Sequence, residues 1–179
     1  MSSTNGVGAL DGLRLYDVTT GELLATGDPD ALTPSFDAQS RLLAWGTRTG
    51  LARVVDVSRI VDGATTDEAT VFKVAAHNGS VDKPVLTDDG LLATRAETLL
   101  RVWDVATGDL VVEVPMAPDV SSRRLTVGPN GSYVLYAEGS VLRKYYIDHD
   151  RLIELARNRL TRGFSADECH RYLDSAECP

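Results

Sequence analysis

A short pattern ending in aspartate occurs four times along the chain, and it limits the possible folds more than any other feature. In each case a segment of alternating apolar residues leads to an aromatic or aliphatic residue and then to Asp. The four aspartates are Asp17, Asp56, Asp104 and Asp148, with spacings of 39, 48 and 44 residues. A period of about 40–45 residues is typical of a unit of four short strands. A two-layer β-sandwich also has short strands, but it does not place an aspartate in phase four times.

Glycine turns between these segments favour strands over helices. Gly21 and Gly108 each follow one of the aspartates by four residues, in a Thr-Gly-acid sequence. Glycine accepts the positive φ that hairpin turns require. Between residues 7 and 147 the apolar residues alternate with a period of two, so no helix is expected in that span.

These features predict an all-β fold of antiparallel four-stranded β-propeller blades, about 3.5 in number. With strands named a to d from the inside outwards, the first blade has b, c and d, and the next two are complete. The last blade has a, b and c, which makes the propeller incomplete. Residues 58–69 are expected to form a longer connection on one rim.

The C-terminal residues have a different, helical pattern. Asp148 or Asp150 can cap a helix that starts near Arg151, and a capping-box sequence starts a second helix at Ser165. We therefore divide the chain into blades over residues 1–148 and a two-helix tail over residues 149–179. The tail is expected to cover the last blade, and the alternative is a detachable helix that docks on a partner. The apolar face of the first helix consists of Leu152, Leu155, Ala156 and Leu160.

The two cysteines, Cys169 and Cys178, flank the second predicted helix. Buried thiols, a disulfide that ties down the C-terminus, and a metal site with a nearby histidine are all compatible with this spacing. Neither a Cys-x-x-Cys nor a His-x₃-His motif is present to favour the metal.

Charge and hydropathy exclude some classes of partner. The net charge of −8 argues against direct nucleic-acid binding, which depends largely on neutralising phosphates. The sequence contains neither an apolar run long enough to cross a membrane nor a signal-peptide pattern, so a cytoplasmic location is expected.

Several short motifs resemble the Trp-Asp (WD) repeat family. Trp103-Asp104 is the dipeptide that names the family, and Ala76-His77 is similar to its Gly-His motif, with Ala in place of Gly. In that family a histidine, a hydroxyl, an acid and the tryptophan form a buried hydrogen-bonded tetrad. The resemblance implies a structural tetrad here, made of His77, Thr94, Glu97 and Trp103, with Glu97 where the family usually has Asp.

The tail narrows the resemblance further. Residues 151–179 look like the C-terminal end of propellers in multidomain regulators of the actinobacterial type, which combine a transcriptional activator module with a STAND-type NTPase. This implies a non-catalytic interaction scaffold or sensor without a cofactor or metal. Its partners would be proteins, the remaining propeller blades or a second copy. The alternative is an enzyme-type propeller similar to a lactonase or quinoprotein, but no catalytic motif supports it.

Overall fold

The architecture was obtained as a computed structural model, and it divides into two compact units, Met1–Ile147 and Asp148–Pro179. Within the described part of the chain, no helix is long and apolar enough to cross a membrane. The described residues are 12–81, 84–96, 98–116, 125–128, 132–138, 140–147, 149–159, 165 and 171.

The first unit consists of small antiparallel sheets that follow one another along the chain, which confirms the all-β prediction. The described strands form a two-stranded sheet (β1–β2), two four-stranded sheets (β3–β6 and β7–β10) and a three-stranded sheet (β11–β13). Within each sheet, strands that are consecutive in the sequence are neighbours. The strands are β1 Arg14–Tyr16, β2 Leu23–Thr26, β3 Ser35–Phe36, β4 Leu42–Gly46, β5 Leu51–Asp56, β6 Thr70–Ala75, β7 Val85–Leu86, β8 Leu91–Ala96, β9 Leu99–Asp104, β10 Leu110–Pro115, β11 Leu125–Val127, β12 Tyr133–Glu138 and β13 Val141–Tyr146.

One expectation was wrong: the first unit contains a short helix. Helix α1 spans Val57–Val61, between β5 and β6. The Asp56 carboxylate accepts the backbone N–H of Ser58 and of Arg59, and so caps the helix. Ile60 is almost fully buried against the neighbouring strands, so this connection is packed into the core.

The sheets stack face to face, in the order of the chain. We call the face turned towards the following sheet the forward face and the opposite one the backward face. Since strand residues alternate between faces, the two four-stranded sheets have apolar residues on both. Three buried clusters result. They are centred on Trp45 and Leu43 between β1–β2 and β3–β6, on Val54 and Trp103 between β3–β6 and β7–β10, and on Val102 and Val134 between β7–β10 and β11–β13.

In the second unit, helix α2 spans His149–Arg159 and contains most of the predicted apolar face. Leu152 and Ile153 are each about two-fifths exposed. Two basic residues, Arg157 and Arg159, lie in the last turn, where they complement the helix dipole. The predicted second helix lies outside the described residues, except for Ser165 and Arg171.

Candidate functional site

Asp17, Asp56 and Asp104 lie at or directly after the ends of β1, β5 and β9, and each accepts backbone N–H groups of the residues that follow it. The Asp17 carboxylate accepts the backbone N–H of Thr19 at 2.6 Å and of Thr20 at 3.0 Å. The Thr20 amide, followed by that of Thr19, holds the pKa of Asp17 below its usual range. Asp104 accepts the equivalent two amides, from Ala106 and Thr107. Asp148 lies outside the described residues.

Three of the four residues of the predicted tetrad meet in the sheet β7–β10. The indole N–H of Trp103 donates to the Thr94 hydroxyl at 2.9 Å, and Nε2 of His77 lies 3.0 Å from the same hydroxyl. Thr94 is fully buried, and His77 and Trp103 are less than one-tenth exposed. One hydroxyl on β8 therefore joins a side chain of β9 to the connection that carries His77. Glu97 lies outside the described residues.

The preceding sheet fixes the backbone that carries His77. Gly50, in the turn between β4 and β5, has φ of +93°, and its carbonyl accepts the N–H of His77 at 3.1 Å. A Cβ at residue 50 would lie 1.9 Å from the carbonyl oxygen of His77. Only glycine fits this conformation and this close approach.

The environment of His77 keeps its ring neutral. Burial lowers the pKa of His77 to about 4, and the Arg101 guanidinium adds to this effect. Because an indole can only donate, Thr94 accepts from Trp103, and its own proton can go to the carbonyl of Arg101 at 3.4 Å or to Nε2 of His77 at 3.0 Å. If that proton goes to Nε2 of His77, the ring proton is on Nδ1, which has no partner among the described residues.

A second buried network, which sequence reasoning missed, occupies the sheet β3–β6. The indole N–H of Trp45 donates to Asp28 at 2.8 Å. Arg53, which is 4% exposed, pairs with Asp28 at 3.1 Å and with Asp67 at 2.5 Å, and also donates to Thr70. Arg53 is the main reason that the pKa of Asp67 lies below its ordinary value.

The two networks occupy equivalent places in their sheets. Trp45 pairs with Arg53 across β4 and β5, as Thr94 pairs with Arg101 across β8 and β9. Arg101 donates to the carbonyl of Ala76 and forms an ion pair at 2.7 Å with Glu113 of β10, the fourth strand of its sheet. Each arginine thus links its own strand to the fourth strand and to the connection that enters the sheet.

The sequence contains a pattern from which Arg53 and Arg101 could have been predicted as structural residues. Each of the four repeated segments contains an arginine: Arg14, Arg53, Arg101 and Arg143. The partners of Arg53 were not visible in the same way, because Asp28 and Asp67 lie 25 and 14 residues away from it.

Chemically, the arrangement holds backbone segments in place. In the described ranges, no group of three or more His, Cys, Asp and Glu residues is placed to bind a metal ion. The polar atoms of Thr94, Trp45 and Trp103 are all engaged in hydrogen bonds inside the protein. Cys169 and Cys178, the possible disulfide, lie outside the described residues.

Comparisons with known proteins give likenesses of fold and one distant relative. No family model matches the chain. It is 26% identical over 129 residues to the CCR4-associated factor 4 homolog of Candida glabrata, a match that covers 66% of this chain and 22% of that protein. The chain therefore spans less than a quarter of this relative's length.

Among solved structures, the chain is similar to the computationally designed Ika8 protein, with a TM-score of 0.61 at 17% identity. It is also similar to a chain of the mitotic checkpoint complex, at 0.59 and 13%, and to the designed Ika4 protein, at 0.62 and 19%. The matches cover 77%, 76% and 79% of this chain, and 41%, 42% and 83% of the solved chains. At these identities the likeness concerns the fold alone.

Proposed function

We propose that the four sheets are successive blades of a β-propeller of the Trp-Asp repeat kind, and that the chain is a non-catalytic protein-interaction module. In this proposal it belongs to a larger bacterial signalling or transcription-regulatory protein in the cytoplasm. Further blades, from a longer chain or from a partner, complete the ring.

The exposed faces of the two end sheets carry this proposal. Both four-stranded sheets are buried on the two faces by their neighbours. On the end sheets, Tyr16 and Leu23 of the backward face of β1–β2 are nearly half exposed, and Leu142 of the forward face of β11–β13 is 67% exposed. In a repeat array, each interface is formed by the faces of two neighbouring sheets. A sheet at the end of the array therefore has one apolar face with no neighbouring sheet to cover it.

The lengths of the similar solved chains support both ways of completing the array. The similar region is less than half of the Ika8 chain and of the checkpoint chain, but most of the Ika4 chain. An array of this size therefore occurs both as part of a longer chain and as most of a short one.

An interaction role agrees better with the polar residues than catalysis does. His77, the histidine with the most complete surroundings, is engaged with Thr94 and is kept neutral by burial. A catalytic histidine instead needs access to substrate and a pKa near the working pH. The name of the Candida relative also records association with another protein.

Light scattering on the purified 179-residue chain tests the proposal. We expect a mass above the 19.3 kDa of one chain, because apolar end faces promote association. Leu142→Asp, on the end face, should lower the mass. Val18→Asp, at a fully exposed turn position, should leave it unchanged. A well-folded 19.3 kDa monomer with a sharp melt would contradict the proposal.

A further inference from the structure

One position of the repeat is apolar in the first three sheets and carries a charge in the last sheet. In β1, β5, β9 and β13, the residue that follows the repeated arginine points to the forward face. These residues are Leu15, Val54, Val102 and Lys144, in that order. Val54 and Val102 are fully buried in the two interfaces with a following sheet. Lys144 therefore places an ammonium group where the repeat has the centre of an apolar interface.

The ammonium group of Lys144 is held in place by two tyrosines. Its Nζ lies 3.8 Å from the ring centre of Tyr133 and 4.5 Å from that of Tyr146. The two rings meet edge to face, with their centres 6.1 Å apart. The Tyr133 ring is itself packed on the backbone of Gly128, where a Cβ would come within 2.3 Å of it. The charge thus has a defined position on the forward face.

Any sheet that covers this face must compensate this charge. Burial removes the ammonium group from water, and the free-energy cost of this desolvation exceeds what a cation–π contact contributes. A carboxylate within ion-pair distance compensates the remaining cost and accepts a charge-assisted hydrogen bond from the ammonium group.

We propose that the forward face of β11–β13 recognises a partner sheet whose apolar surface carries one Asp or Glu opposite Lys144. This inference rests on the proposed function, because it assumes that the end sheet is covered as the inner sheets are. The repeated interface supports the kind of partner: both inner sheets pack this same face on the backward face of another sheet.

A second copy of the chain does not fit this description. The backward face of its first sheet offers Arg14, Tyr16, Leu23 and Thr26. None of these described residues carries a carboxylate, so this face offers no counter-charge to Lys144. Self-association through this face is therefore weaker than association with a carboxylate-bearing sheet.

The test adds the missing carboxylate to the chain itself. Tyr16 occupies the place of Trp103 in the repeat, and Trp103 lies against Phe72, the cross-strand neighbour of Val54. The Tyr16→Glu chain should associate head to tail roughly tenfold more tightly than the Tyr16→Gln chain, and the gain should shrink at high salt. Adding Lys144→Glu to Tyr16→Glu should abolish the gain. Sedimentation equilibrium gives the dissociation constants.

A further variant distinguishes a failure of the carboxylate-partner proposal from a failure of the proposed function. Lys144→Val restores the valine of the inner sheets and should strengthen self-association without any carboxylate. If Lys144→Val associates more tightly but Tyr16→Glu matches Tyr16→Gln, the carboxylate partner is refuted and the blade proposal stands. If no variant associates, including Lys144→Val, both are refuted.

Discussion

Replacing Thr94 with valine removes the group that joins the three-residue network, with almost no change of shape. The hydroxyl of Thr94 accepts from the Trp103 indole at 2.9 Å and contacts His77 at 3.0 Å, at a fully buried position. Valine leaves both partners without a hydrogen bond in a place that water does not reach. Each buried polar group left unpaired costs about 1–3 kcal/mol, so with two such groups we expect Thr94→Val to lower the free energy of unfolding by about 2–6 kcal/mol.

Thr94→Ser is the matched control, because it keeps the hydroxyl and removes the methyl group. Loss of one buried methyl costs about 1 kcal/mol. Valine should therefore be the more harmful substitution, although it is closer to threonine in volume. If packing alone mattered, the order would be reversed.

Urea unfolding followed by far-ultraviolet circular dichroism measures the difference. The midpoint of Thr94→Val should lie well below that of Thr94→Ser at equal slope, since the slope reports the surface exposed on unfolding. All proteins should be compared at one concentration, because association stabilises the folded state. A Thr94→Val midpoint equal to or above that of Thr94→Ser would refute the assignment of this network as a stabilising one.

Three further predictions follow from individual contacts. The pKa of His77 is lowered from 6.5 to about 4, so the unfolded chain takes up a proton that the folded protein does not; stability should fall by up to about 3 kcal/mol as the pH drops through this window. The same pH series on His77→Gln should be flatter, and equal slopes would contradict the prediction. Arg53→Met leaves the partly buried Asp28 without its cation and should lower the free energy of unfolding by about 3 kcal/mol. Arg48→Met, at an exposed position, is the control and should leave the stability unchanged. Equal melting temperatures for the two variants would contradict the prediction. Reducing agent should change the melting temperature only slightly, because a bridge between Cys169 and Cys178 would close only a short loop; alkylation and mass spectrometry that find the pair fully blocked, together with a large drop on reduction, would disprove this.

The contrast between Asp17 and Asp56 shows what the sequence could specify and what it could not. Both accept backbone N–H groups two and three residues ahead. After Asp17 the chain reaches Gly21, whose φ of +73° completes a hairpin turn. After Asp56 there is no glycine until Gly63, so the same start continues into helix α1. The repeat identified Asp56, but the helix that Asp56 caps depends on residues outside the repeat.

The networks show the same division between local and distant information. His77 and Trp103 could be named from the sequence because each lies in a short motif that resembles the Trp-Asp repeat family, and the same resemblance implied the hydroxyl of Thr94. Arg53 could not be paired in advance, since Asp28 and Asp67 approach it only after β3–β6 has formed. Long-range ion pairs of this kind depend on the register of three strands, which a local pattern does not specify.

The two four-stranded sheets use different residues to bond the entering connection to the middle of the sheet. In β7–β10 the indole lies on the third strand and donates to a hydroxyl on the second. In β3–β6 the indole lies on the second strand and donates to the carboxylate of Asp28, in the connection that enters the sheet. Both arrangements tie the entering connection to the middle of the sheet. Among the described residues, the buried side-chain atoms left without a partner are Nε of Arg53 and Nδ1 of His77.

Because these interior groups are almost fully engaged with each other, they have little capacity left to bind anything else. Lys144, by contrast, is exposed and is held by two tyrosine rings on the forward face of β11–β13, and the equivalent face is buried in both four-stranded sheets. A fixed charge on an apolar surface gives specificity, since a wrong partner leaves it desolvated and unpaired. Under the proposed function, recognition is therefore best sought at the forward face of β11–β13, where Lys144 interrupts the apolar repeat.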